Sequence, residues 1–457
     1  MTETVRDAAA QPSSRAGEFL TPGDPAYDEA RRLHNAMIDK RPSVIARCTS
    51  ADDVVAALAY AREHGLEVAV RGGGHGVAGT ALVEDGLVVD LSRMREVEVD
   101  PDRRTARVAG GALMTDLDRA CQPHGLATTG GRVSTTGVGG FTLGGGTGWL
   151  DRAFGLACDN LVSVDLVTAD GRKVTASEDE NPDLFWALHG GGGNFGVATS
   201  LTLRLHELPV FSAVLMMFEV EDGEAAIREY RDIVESAGDH VSGGCIYVAA
   251  PEEDFVPERL VGKVVLLVLT TVIAGEAEAR ALTGPLRDLG PAIDEVMEMP
   301  YADVNCMLDD PPGNRNYWSA EHLMTLPDAA VTAHVAALET MPQPTGCQHV
   351  LFAAGGASAR NTAGYPVPWR DAPWVVHPFA VWADPADDDR ARAWVRQVRE
   401  AVRPWSTGDV YLNFIGHEGA DRVRAGYGEA AWRRLVEVKR EWDPGNVFHL
   451  NHNIDPD

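Results

Sequence analysis

Residues Val68–Gly79 read V-A-V-R-G-G-G-H-G-V-A-G, a short apolar run that opens into a loop with almost no side chains. Leu66–Val70 alternates as a strand does. Beyond it stand Gly72, Gly73, Gly74, Gly76 and Gly79, and glycine reaches positive φ at little cost, so successive amides can turn inward around an anion. One imidazole, His75, sits among them. Phosphate wants donors and a tight loop wants no bulk, so a ring here fits if it bonds to the bound group itself. Gly74, Gly76 and Gly79 match G-x-G-x-x-G, but that dinucleotide fingerprint opens a helix. Thr80–Leu91 instead reads as a turn and a second strand, which sets a doubly wound nucleotide fold aside. A glycine hairpin carrying a merely solvated histidine is the plain alternative, and the rest of the chain weighs against it.

The 457 residues, 45% hydrophobic, have room for two or three domains with ordinary cores. An excess of 68 acidic over 40 basic residues, net −28, argues against nucleic acid or an anionic membrane as partner and favours solubility. The first residues lack a leader-like apolar core and no 18-residue apolar run occurs, so a cytoplasmic location is the expectation. Six scattered cysteines, without C-x-x-C or metal-like spacing to histidine, imply neither a disulfide scaffold nor a metal site.

Residues 1–20 read as a flexible terminus. Ser50, Asp53 and Gly65 bracket a capped amphipathic helix. Thr105–Val108 is a strand and Met114–His124 a helix. Gly130–Leu150 then carries nine glycines in 21 residues. With Val133, Phe141, Leu143 and Trp149 among them this is no linker but backbone held against a flat ligand, with Ser134, Thr135 and Thr142 offering hydroxyls. Two strands turn at Asp170-Gly171, Asn181 caps a short helix, and Ala198–Leu205 closes the lobe. From about 210 to 405 apolar strands alternate with the helices Gly223–Ser236, Glu276–Leu289, Asp328–Leu338 and Asp387–Val402. Without a phosphate nest, this part is expected to face a substrate. Glycine returns in the tail, with Y-L-N-F and D-P-G-N-V-F.

Six ordered blocks carry a resemblance: R-G-G-G-H at 71–75, G-V-G-G-F-T-L-G-G-G-T-G-W-L at 137–150, G-L-A-C-D-N-L at 155–161, N-P-D-L-F-W-A-L-H-G-G-G-G-N-F-G-V at 181–197, Y-L-N-F at 411–414 and D-P-G-N-V-F at 443–448. From Tyr27 to Pro456 the chain resembles the flavoproteins of the vanillyl-alcohol oxidase and p-cresol methylhydroxylase type, in their berberine-bridge-like, 6-hydroxynicotine-oxidase-like branch. The resemblance implies an α+β fold. A discontinuous FAD-binding domain, 21–207, has lobes of about 21–96 and 97–207 and is completed by 408–457. A substrate domain, 208–407, lays an antiparallel sheet over the flavin. FAD is expected against Arg71, Gly72, Gly73, Gly74, His75, Gly76, Gly131, Ser134, Thr135, Gly137, Gly140, Thr142, Gly145, Gly148, Val197 and Asn413.

His75 matches the family's flavin-tethering residue. Relatives that hold the flavin twice have a cysteine where this chain has Val133, so a single covalent link is expected, with Cys121 a buried small hydrophobe. The resemblance implies an FAD-dependent oxidase of an alcohol, phenol or amine that passes hydride to the flavin and electrons to O2, releasing peroxide. The alternatives are a dehydrogenase using another acceptor, an oxygenating enzyme, and a flavin carrier. Tyr411, read as a strand residue, is the base if its pKa is lowered, and Thr136 is placed to act in reoxidation. Asn314, Arg315, Tyr317, Trp318, Glu321 and His377 are further cavity candidates. The partners expected are a small molecule and O2, in a monomer or homodimer.

Overall fold

Three sheets organise the computed structural model, which describes residues 17–309, 312–343, 346–361 and 363–457. In the first, β1 (Glu18–Leu20), β2 (Val44–Arg47), β3 (Val68–Arg71) and β4 (Leu87–Asp90) run in the order β1-β2-β4-β3. β4 is parallel to both β2 and β3; the helix Ala51–His64 carries the chain across from β2 to β3, and the glycine-rich segment 72–86 returns it from β3 to β4 between them. Ser50 Oγ accepts from the Asp53 amide at 3.3 Å, and Gly65, at φ +63°, ends the helix in the left-handed region. Val54, Ala57 and Leu58 of this helix pack on Val44, Leu87 and Val89. Glu18–Leu20, expected in a frayed terminus, instead pair with Ile45–Arg47, because β2 would otherwise leave an open edge. Residues 1–16 lie outside the described residues.

The second sheet joins β5 (Val97–Asp100), β6 (Thr105–Ala109), β8 (Leu161–Val167), β9 (Lys173–Ser177) and β10 (Val197–Arg204) as β5-β6-β10-β8-β9, all antiparallel; β7 (Leu126–Ala127) pairs separately with β11 (His206–Glu207). Asn181 stands at the N-cap of its helix, as expected, but its side chain makes no capping bond. It sits at φ +52° and donates to the Thr175 carbonyl at 2.6 Å, tying the helix Pro182–Ala187 back to β9. The glycine tract holds an unanticipated helix, Val138–Leu143, whose Val138 and Leu143 are buried in this lobe's core.

The third sheet comprises β12 (Ser212–Glu219), β13 (Val241–Ala249), β14 (Val264–Val272), β15 (Ile293–Glu298), β16 (Arg315–Trp318), β17 (Glu321–Leu323), β18 (Gln348–Ala353) and β19 (Trp374–Trp382). Its order is β15-β12-β14-β13-β18-β19-β16, with β17 also on β19. Alternate residues face opposite ways. Leu351, Ala353, Trp374, Val376 and Ala380 pack beneath the helices Gly223–Ser236, Asp328–Ala336 and Asp388–Val402. Val350, Phe352 and Val375 face the other way, onto Trp149 and Leu150 of the glycine tract. The helix expected over Glu276–Leu289 breaks into Glu276–Leu282 and Gly284–Asp288, where Pro285 cannot continue the ladder.

The tail folds back on both glycine-rich lobes. Leu435 and Trp442 join the core of the second sheet, and Phe448 joins that of the first. Lys439, fully buried, donates to the carbonyls of Asn194 and Phe448 at 2.7 and 3.1 Å and pairs with Asp443 at 2.7 Å. Among the described residues no helix is long and apolar enough to cross a membrane.

Candidate active site

Where β3 ends, the chain must turn between two sheets, and Arg71 anchors the turn. The β3–β4 register sets Arg71 opposite Asp90. Its guanidinium grips that carboxylate at 3.1 and 2.5 Å and donates to the Ala30 carbonyl. Arg71 therefore does not line the groove, contrary to expectation, since a buried carboxylate demands its charge.

Gly72–Gly76 do line it. Gly73 and Gly137 lie back to back: a Cβ on Gly73 would sit 2.3 Å from the Gly137 nitrogen, and one on Gly137 would sit 2.4 Å from the Gly73 nitrogen. Only bare backbone permits this approach of the two glycine segments. His75 Nε2 lies 2.8 Å from Thr135 Oγ1, and its ring stacks on His34 at 4.2 Å. Thr135 thus holds the imidazole instead of contacting the groove.

Gly131, Thr136, Gly137 and Gly140 line the groove. The Thr136 hydroxyl has no hydrogen-bond partner among the described residues. Ser134, Thr142, Gly145, Gly148 and Val197 fall outside the lining. Ser134 is bonded to Asp309 through its amide at 2.7 Å and its hydroxyl at 2.5 Å; Thr142 is buried in its short helix; a Cβ on Gly145 or Gly148 would meet Trp369 or the Gly130 carbonyl; and Val197 pairs with Val167 in the core. The groove continues past Gly190, Gly192, Gly193, Asn194 and the tail residues Phe448, Leu450, Asn451 and His452, which the sequence reading did not assign.

Its far end opens under the third sheet. The cavity measures about 380 Å³ and is continuous from the glycine loops to Trp318, Gln348, Phe352, His377, Phe379 and Phe414. Of the six cavity candidates only Trp318 and His377 are there. Arg315 is paired with Asp388 and Glu321 with Arg399 and Arg422, while the Asn314 carbonyl serves the Ala36 amide and Tyr317 packs on Gly416.

Tyr411 and Asn413 both line the cavity, but on a tight turn instead of a strand: Leu412–Phe414 form one 3-10 turn. Asn413 Nδ2 donates to Tyr411 Oη at 2.8 Å and to the Phe141 carbonyl at 3.1 Å. Tyr411 is fully buried, and burial pushes its hydroxyl well above the ordinary phenol value despite the Asn413 bond. The lowered pKa expected of a base is absent.

Arg132 was missed altogether. It is 7% exposed and sandwiched, its guanidinium 4.1 Å from the Phe352 ring centre and 4.7 Å from that of Trp149. It donates to Thr147 Oγ1 and the Gly148 carbonyl at 3.1 and 3.0 Å, and Asp151 stands at 3.9 Å. No local signal in the sequence marks it, because Phe352 lies far along the chain and only the fold brings Trp149 against the other face of the guanidinium. Burial pushes the Cys121 thiol up to about 12, leaving it unreactive in its core.

Whether the groove suits FAD is tested by the backbone itself. The amides of Gly72, Gly73, Gly74 and Gly76 find no acceptor among the described residues. A Cβ on Gly76, Gly140 or Gly193 would meet no protein atom within 4 Å, and all three line the groove. Bare, unsatisfied amides on an elongated channel fit a dinucleotide diphosphate.

A two-lobed α+β body with this groove and a covering sheet defines a flavin-linked oxidoreductase. Residues 42–177 match the FAD binding domain family and residues 410–455 the family described as berberine and berberine like. (R)-6-Hydroxynicotine oxidase of Paenarthrobacter nicotinovorans is 31% identical over 98% of both chains, and the uncharacterized FAD-linked oxidoreductase YgaK of Bacillus subtilis is 30% identical over 96% of this chain and 97% of its own. The crystal structure of 6-hydroxy-D-nicotine oxidase from Arthrobacter nicotinovorans superposes with a TM-score of 0.86 at 30% identity, covering 98% of this chain and all of the other. Berberine bridge enzyme from Eschscholzia californica, at 19% identity, shares the fold with a TM-score of 0.84 over 96% and 97% of the two chains. The chain belongs to the berberine-bridge-like family of FAD-dependent oxidoreductases.

Proposed function

We propose that this protein is an oxidase of a small, planar, hydroxyl-bearing aromatic compound, with FAD tethered once, through His75. The observation that carries the substrate class is the lining of the cavity's far end. Aromatic rings surround it, and among the described lining residues there is no aspartate, glutamate or lysine. Arg132 is the one arginine or lysine among the described lining residues. A protonated amine entering this chamber meets the buried Arg132 charge, partly offset by Asp151 at 3.9 Å, and no carboxylate among the described lining residues to offset its own desolvation, whereas a neutral alcohol or phenol carries no such charge to desolvate.

Bound FAD supplies the hydride acceptor and returns the electrons to O2 as hydrogen peroxide. The amides of Gly72–Gly76 hold its diphosphate, and Thr135 orients the His75 ring for the tether. With Val133 in place of a nucleophile and Cys121 buried, a second tether has no donor. Asn413 braces the Tyr411 turn at the cavity wall. Trp318, Phe352, Phe379 and Phe414 exclude water and clamp a flat ring. Thr136 offers the cavity a hydroxyl with no internal partner, placed for the reoxidation step.

Anaerobic flavin bleaching against a panel of benzylic alcohols, phenols and amines, followed by peroxide measurement on readmission of air, tests the reading. Alcohols or phenols are expected to bleach it, and selective bleaching by amines would refute the substrate class. Acid-precipitated wild-type protein is expected to be yellow and His75→Ala colourless. A yellow His75→Ala pellet would refute the tether.

A further inference from the structure

We propose that His377 is the group that accepts the substrate's hydroxyl proton, through an Nε2 lone pair that the backbone of the covering sheet aims into the cavity. This rests on the oxidase reading above and goes beyond it by naming a base that is neither carboxylate nor tyrosine.

The device begins with an interruption in the sheet. β16 pairs with Phe379–Trp382 and β17 with Trp374–Val376, so the strand lapses over Ser319 and Ala320, opposite Pro378 and His377, while the register is kept. Proline lacks an amide and is tolerated inside a sheet at such a break. The Ser319 amide still donates to the Pro378 carbonyl at 3.3 Å, and the Ser319 carbonyl accepts His377 Nδ1–H at 2.8 Å. A carbonyl only accepts, so Nδ1 carries the proton and Nε2 is left as a lone-pair acceptor. The ring is further fixed by stacking on Phe414, centroids 4.1 Å apart and 15° from parallel. His377 lines the cavity, and Nε2 has no partner among the described residues.

Chemistry agrees with placement. Burial, with the Arg132 charge beside it, holds His377 neutral, its pKa down at about 4. So weak a base suffices. As hydride leaves the carbinol carbon with its electron pair, the hydroxyl oxygen takes on the character of a protonated carbonyl, a strong acid. Its proton passes to Nε2, the carbonyl product remains, and Arg132 favours release of that proton to solvent. Gln348, on the same face of β18, lines the cavity with no side-chain partner among the described residues and can hold a second substrate polar group.

Full-length, FAD-loaded protein labelled with 15N-histidine provides a readout apart from turnover. The His377 Nε2 resonance is expected to be that of an unprotonated nitrogen at neutral pH. It should shift on adding phenol and not on adding anisole, which has the ring without the donor. His377→Asn retains an amide N–H for Ser319 and loses the basic lone pair at the Nε2 position, its shorter carbonyl oxygen being a far weaker proton acceptor. Phenol affinity should fall about tenfold with that of anisole unchanged. Anaerobic reduction by the best panel alcohol should fall about 100-fold or more at equal flavin content. A protonated Nε2, equal shifts with phenol and anisole, or reduction of the variant at the wild-type rate would each overturn the assignment. A phenol-specific shift in a protein that no panel alcohol reduces would support the acceptor and refute the oxidase reading.

Discussion

Replacing Gly73 by alanine puts the contact between the two glycine segments to the test. The new Cβ would lie 2.3 Å from the Gly137 nitrogen and 2.6 Å from its Cα, and the Leu113 side chain closes the space at 3.2 Å. Ordinary carbon contacts need about 3.5 to 4 Å, so the segments must part by more than 1 Å, and neither wall is a side chain able to rotate away. Overpacking of this kind costs about 1 to 3 kcal/mol, and backbone on the opposing side places it at the upper end. Unfolding entropy of about 2.1 cal/mol/K per residue makes a 457-residue unit lose about 1 °C per kcal/mol, hence about 3 °C in Tm. The larger effect should fall on flavin content, because both segments move. Gly76→Ala is the control: its Cβ meets no protein atom within 4 Å but projects into open space at the groove. It should keep its Tm when flavin-free and still lose flavin. Thermal unfolding and the 450/280 nm absorbance ratio check both variants. Gly73→Ala with wild-type Tm and full flavin would refute the packing argument.

Three more outcomes follow from buried polar groups. Asp90→Asn leaves Arg71 buried without its anion and should cost about 3 to 5 kcal/mol in chemical denaturation, while removing both charges in an Arg71→Met, Asp90→Leu double variant should cost less than the sum of the two single changes. Tyr411→Phe should slow anaerobic reduction by less than about tenfold, since burial keeps the phenol protonated; a loss as large as that of His377→Asn would make Tyr411 the proton acceptor after all. His349, buried and stacked on His334 at 3.8 Å, has its pKa pushed down to about 4 by burial. A folded value below the unfolded one means that stability is intact above about 6.5 and is lost as pH falls toward 4, by up to about 3 kcal/mol for this one group. His349→Gln, whose amide can still serve the His334 carbonyl, should flatten Tm against pH over that window, and an unchanged slope would assign the acid sensitivity to other histidines such as the buried His189, also pushed down to about 4 by burial.

Local signals were legible and long-range ones were not. Ser50, Asp53 and Gly65 bracket their helix because capping is decided within a few residues, and Asp170-Gly171 makes its hairpin for the same reason. The glycine loop at 72–76 announced its bare amides. Arg71 read as a ligand because it adjoins that loop, yet its partner is set by strand register, which no neighbouring residue reveals. β13, with Gly243 and Gly244 inside it, lacks the composition of a strand, since Leu269 and Phe352 on adjacent strands fill the room its side chains leave. Tyr411 read as strand from V-Y-L-N-F, but Asn413 bonding to both Tyr411 and Phe141 favours a turn. His377 was one polar residue among six, and only its bond to the Ser319 carbonyl, where the strand lapses, sets it apart.

The seam at Lys439 bears on how the holoprotein is made. Its ammonium bridges a carbonyl of the second lobe and one beside the first, across a stretch of chain interrupted by the entire covering sheet. During synthesis the cradle at His75 therefore emerges long before the wall that Phe448–His452 provide. Enclosure of the flavin, and any bond to it, must wait until that sheet has been made and the tail has threaded home, so assembly of the pigment belongs to the end of folding.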